Sequence, residues 1–91
     1  MSYLNLNDVR SEALFASPLQ PTSRPTPAQV RAEVMHTVRR LGVRGCAARM
    51  AQEFGDDPDG SVARMRWARR VIGDVFAARS AGTPGRQTVA A

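Results

Sequence analysis

Four prolines fall within ten residues of this chain, Pro18, Pro21, Pro25 and Pro27. Each ring fixes φ, removes a backbone donor and pushes the preceding residue out of the helical region. Regular structure does not cross such a stretch, so the chain is divided before any other feature is read. Residues 1–17 form an N-terminal arm and 18–26 a stiff linker. Residues 27–79 must hold the body of the fold. The last twelve, SAGTPGRQTVAA (80–91), have no apolar periodicity and read as a disordered tail.

Within the body the apolar spacing is helical throughout. Thr26 is followed by Pro27 and Gln29, a capping box with proline at the first helical position. Val30, Val34, Val38 and Leu41 then form one stripe, with Met35 beside it, and Gly42 ends the helix as a left-handed cap. A second helix, about 44–54, carries Ala47, Met50 and Phe54, with Ala51 alongside, and Gly55 is its expected stop. Asp57 before Pro58 marks the start of a third, to about Arg79, with Ser61 as a competing cap. Met65, Ala68, Ile72, Val75 and Phe76 face its core side, with Val62 and Val71 at the edges. Arg66, Arg69, Arg70 and Gly73 lie opposite. The expected core is Val34, Val38, Leu41, Met50, Phe54, Met65, Ile72 and Phe76. The fold class is all-α, a small three-helix body with a helical arm.

In the arm, Asn7 is a fair N-cap with Asp8 behind it. Leu6, Val9, Ala13 and Ala16 share a stripe from which Leu14 and Phe15 depart. About ten residues are too few for a helix to stand alone. A core of under about 70–80 residues rarely supplies more than about 3–5 kcal/mol, so both arm and body need more buried surface. At about 3.1 Å per residue in polyproline geometry the spacer reaches roughly 30 Å, enough to cross to a second copy. The arm is therefore expected to pack on helices, either its own or those of a second copy. A homodimer is favoured over a monomer, with arm exchange as one form of it, and a docking peptide that orders on its partner is the alternative.

Catalytic equipment is missing from the sequence. Cys46 is the only cysteine and His36 the only histidine, so neither a disulfide nor a zinc site is expected, and no cofactor motif is present. Cys46, between small residues, reads as a buried apolar group, and mid-helix His36 as an exposed one. Asp57, Asp59 and Gly60 resemble part of a calcium loop. The oxygen ligand and the bidentate Glu that loop needs would fall at Gly55 and Arg66. The aspartates are better read as donors' partners at a helix start. A lone cysteine, no signal-peptide pattern in Met1–Asn7 and no apolar run of membrane length point to a cytoplasmic protein with no membrane partner.

The net charge is +5, and all 13 cationic residues are arginine. The absence of lysine fits the codon usage of a GC-rich bacterium. Arginine also grips phosphate and carboxylate with a fixed fork. A basic surface of either origin attracts nucleic acid or an acidic protein.

Met50-Ala51-Gln52-Glu53-Phe54-Gly55, followed by Ser61-Val62-Ala63-Arg64-Met65, resembles a bacterial helix-turn-helix. Ala51 stands where the helices would cross, Gly55 in the turn, and Val62 early in the second helix. The continuation Arg64-Met65-Arg66-Trp67-Ala68-Arg69-Arg70 is similar to the arginine-rich recognition helix of the promoter-reading domain of bacterial sigma factors. The resemblance spans about residues 46–70 and implies duplex DNA as partner and a role in transcription. Together with the charge, it places binding to nucleic acid or an acidic partner at Arg64, Arg66, Trp67, Arg69 and Arg70. Arg39, Arg40 and Arg44, outside the span of the resemblance, are expected secondary contacts on the basic face. Val62 lies one residue further from Gly55 than the usual spacing. Asp56, Asp57 and Asp59 crowd the end of the helix that would enter the major groove. The second class of function is a non-catalytic adaptor, its arginine-rich helix and arm docking an acidic protein. Trp67, framed by Arg66 and Arg70, suits either a rim position of the core or an interface anchor.

Overall fold

Asn5 ends its extended backbone by accepting hydrogen bonds through its side-chain oxygen from the Asn7 and Asp8 amides, at 2.9 and 3.2 Å. That cap opens the first helix of the computed structural model, which describes residues 5–81 and side chains to residue 77. Helix α1 runs Leu6–Ala16, α2 Pro27–Asp56 and α3 Pro58–Ala81, with a single 3-10 turn, Pro21–Ser23, in the linker. No strand occurs among the described residues. The fold is all-α, and each helix packs on the other two.

The cap differs from the expected one. Asn7 lies inside α1, and Asn5 caps it because its extended backbone aims the side chain at the two free amides behind it. At Thr26 the expectation holds. The Gln29 amide donates to Thr26 Oγ1 at 3.1 Å, and the Thr26 amide donates to Gln29 Oε1 at 2.8 Å. Gly42 breaks α2 into two pieces at φ 77°, ψ 165°.

Gly55 does not stop the second piece. It keeps helical geometry, and α2 continues to Asp56. The stop belongs to Pro58, whose ring bars Asp57 from the helical region and leaves it at φ −147°, ψ 79°. Asp57 then serves both helices. Its amide donates to the Glu53 carbonyl (2.8 Å), and its Oδ1 accepts from the Gly60 amide at the start of α3 (3.2 Å). The third helix also outlasts its expected end, through Ser80 and Ala81. The remainder of the expected disordered tail, 82–91, lies outside the described residues.

The arm is part of the core. Ala13, Leu14 and Phe15 are buried with Val30, Val34, Cys46, Met65, Trp67, Ala68, Ile72 and Val75. On α3 the buried positions Ser61, Met65, Ala68, Ile72 and Val75 keep a four-three alternation, with Trp67 buried beside it. Of the expected core, Val34, Met65 and Ile72 are buried. Val38, Leu41, Met50, Phe54 and Phe76 are only half-buried against the cluster, because α1 takes the central place they were expected to share. Trp67 sits inside rather than on the rim, at 8% exposure. Leu14 and Phe15, off the predicted stripe, are the arm's main contribution, whereas Leu6 on the stripe is exposed.

Candidate functional site

The predicted binding residues do not form one surface. Arg64 turns inward to the C-terminal end of α1. Its Nε donates to the Phe15 carbonyl at 2.9 Å, and its Nη2 reaches the carbonyls of Ser17 and Leu19 (both 2.8 Å) and of Leu14 (3.3 Å). The last turn of α1 has no basic residue of its own. Arg64 therefore supplies, from 45 to 50 residues along the chain, the cation and donors that end lacks. The same guanidinium lies 5.1 Å from the centre of the Trp67 ring. Burial pulls its pKa below the ordinary value, with Glu53 opposing. Arg64 and Trp67 are thus engaged in holding the fold.

Arg69 bridges to Asp8 at 3.1 Å, with both side chains more than half exposed. A pair so open to solvent contributes little to stability; it spans from the first turn of α1 to α3. Arg66 and Arg70 are exposed on α3, and Arg39, Arg40 and Arg44 on α2. Of the residues that carry the helix-turn-helix resemblance, Ala51, expected where the helices would cross, and Val62, expected early in the second helix, face solvent, and Asp57 alone separates α2 from α3.

Sequence reasoning missed an apolar groove of about 600 Å³ between α1 and the first piece of α2. Leu6, Val9 and Arg10 form one wall. Arg31, Val34, Met35, Val38 and Arg39 form the other, at helical spacing, with Val43 beyond the kink and Phe76 of α3 closing the floor. Leu6 is 57% and Met35 55% exposed. Arg10, Arg31 and Arg39 stand among the lining residues, and among the described residues no carboxylate does. The Arg10 guanidinium lies 3.9 Å above the Phe76 ring. The signal was present in part, since Arg31, Val34 and Val38 share a face by spacing alone. The second wall exists only because α1 folds back.

A smaller hollow of about 280 Å³ at the other end of α1 is lined by Ser17, Gln20, Arg49, Glu53, Asp57 and Arg64, among others. Its two cations are matched by two carboxylates, so it does not select a charged ligand. Cys46 is fully buried, and burial first, then the neighbouring Glu12, pushes its thiol pKa up against the effect of Arg40. A thiol in that state is unreactive. Among the described residues no three His, Cys, Asp or Glu gather as metal ligands, and no helix is long and apolar enough to cross a membrane. Compared with known proteins, the chain matches no family model, no curated protein and no solved structure.

Proposed function

We propose that this protein is a non-catalytic interaction module that binds an acidic protein through its arginine-lined groove. One observation carries the reading: Leu6, Met35 and Val43 stay exposed at a concave apolar surface whose charged lining residues, among those described, are all arginines. Soluble proteins seldom leave such a patch without a use. The small core adds a thermodynamic reason, because a partner seated there supplies buried surface the chain lacks.

The test is affinity capture from cells of the source organism, with and without nuclease, using the parent chain and a Met35→Glu variant. A protein retained by the parent through nuclease treatment and lost by the variant is the expected result. Capture that nuclease abolishes returns the protein to the nucleic-acid class.

That second reading keeps one supporting observation. Arg66 and Arg70 are exposed on α3, where they suit phosphate contacts without base reading. It predicts weak duplex binding at low salt, with the salt slope falling by about one unit for each phosphate contact removed. If Arg66, Arg69 and Arg70 all become Ala and duplex binding is unchanged, that reading is lost.

A further inference from the structure

We infer that the groove between α1 and α2 seats one acidic amphipathic helix of its partner, completing the three helices as a fourth. This rests on the proposed interaction function and adds the shape and charge of what binds.

The shape follows from the walls. Along the first piece of α2 the groove extends from Arg31 to Arg39, with Val43 beyond the kink. Eight residue steps at about 1.5 Å give about 12 Å, or a little over two helical turns. Both walls are helices whose side chains stand at three- and four-residue spacing, which accepts the ridge of another helix. An extended peptide finds nothing to pair with, because every described element is helical and there is no strand edge. A polyproline segment needs an aromatic-lined surface, and among the described residues Phe76 is the one aromatic residue of the groove.

The charge follows from the edge. Arg10, Arg31 and Arg39 border an apolar floor with no carboxylate among them. Asp8 and Glu12, the acidic residues of α1, are directed elsewhere: Asp8 pairs with Arg69, and Glu12 lies near Asp8, Arg69 and Cys46. A partner with apolar residues at i, i+3 or i+4 and i+7, flanked by Glu or Asp, fills the floor and meets the arginines with their preferred counter-ion. A second copy is disfavoured by the same edge. A twofold interface sets a patch against itself, and here it would set arginines against arginines in a partly dry contact. The chain's own residues 82–91 include Arg86 and no acidic side chain, so they lack the complement as well.

The test uses the full chain and a synthetic helical peptide of about 15 residues, with leucines on one face and glutamates on its flanks. A twin peptide carries lysine at every glutamate position. Amide shifts and titration calorimetry are read for both, and light scattering gives the size of the free protein. Binding of the glutamate peptide should move the amides of residues 6–10, 31–43 and Phe76, and weaken as salt is raised. The lysine twin should bind at least about tenfold more weakly. Arg39→Glu and Met35→Glu, both at exposed positions, should each weaken the glutamate peptide about tenfold or more while helix content stays unchanged.

Equal binding of the two peptides, or shifts confined to the Arg66 and Arg70 face, overturns the inference. So does a dimer whose groove amides are protected without peptide, which names a second copy as occupant. Groove shifts on removal of residues 82–91 name the tail instead. If neither peptide binds but cellular capture is lost with Met35→Glu, the helix inference fails and the interaction function stands.

Discussion

Arg64 and Phe15 are joined twice. The guanidinium Nε donates to the Phe15 carbonyl at 2.9 Å, and the charged group lies 5.8 Å from the centre of the Phe15 ring. One side chain of α3 thereby closes the backbone of α1 and flanks the ring that α1 places against Phe54, 5.8 Å between centroids. Arg64→Ala leaves several carbonyls of that turn short of donors. It should cost about 1–3 kcal/mol, the range for orphaned acceptors in a partly buried site. Arg64→Lys should recover only part, since one ammonium cannot reproduce the fork. Urea denaturation measures both. An unchanged midpoint for Arg64→Ala would show that water replaces the guanidinium at no cost.

Two glycines separate the expected helix stops from the real ones. Gly42 sits at φ 77°, ψ 165°, a region that side chains avoid. Gly42→Ala should destabilise by about 1–3 kcal/mol, although nothing lies within 4 Å of the added carbon. Gly55 is helical and equally open, so Gly55→Ala should stabilise by up to about 1 kcal/mol through helix propensity. Thermal melts of the pair should move in opposite directions. A shared direction would mean that one of the two backbone conformations is wrong.

What was legible in the sequence was local. Thr26, Pro27 and Gln29 are neighbours, so their box is read directly from the chain, as is the α3 stripe of Met65, Ala68, Ile72 and Val75. Gly55 misled because glycine permits a left-handed stop without requiring one, and the constraint came from Pro58. Arg64 misled for a different reason. It shares a helix with Arg66 and Arg70, and nothing near it in sequence shows that α1 will present bare carbonyls to it. The groove has the same origin, since each wall is an ordinary amphipathic face until the arm folds against α2. Residue spacing along one helix carries no record of such long-range contacts.

Glu12 should make stability depend on pH in an unusual direction. Burial first, then Asp8, raises its pKa above the ordinary 4.5, with Arg69 opposing. The folded state therefore holds the proton more tightly than the unfolded state. This group favours folding most below the ordinary value, and its contribution is lost as pH rises through the folded value. Glu12→Gln removes the penalty of the charged form. The variant should melt above the parent at neutral pH, and the difference should shrink and then vanish or reverse in acid. A constant difference from pH 3 to pH 8, assessed over the range that brackets carboxylate titration, would show that Glu12 acts through packing alone.

The arm gives the sharpest test of the fold. Leu14 is fully enclosed, Phe15 is nearly so, and both belong to the cluster that contains Ile72 and Trp67. Leu14→Ala should cost about 2–5 kcal/mol and Phe15→Ala about 3–5 kcal/mol. Those losses are comparable to everything a core of this size supplies. Phe54→Ala and Phe76→Ala, at half-buried positions, should cost less than Phe15→Ala, although the sequence places those two, and not Phe15, in the expected core. Removing residues 1–17 should then unfold 18–91 outright, because α1 is a structural third of the bundle and its carbonyls satisfy Arg64. Circular dichroism of the shortened chain decides the matter. Native helix content with a cooperative melt would show that the body folds without its arm, and that α1 is an accessory laid on a finished core.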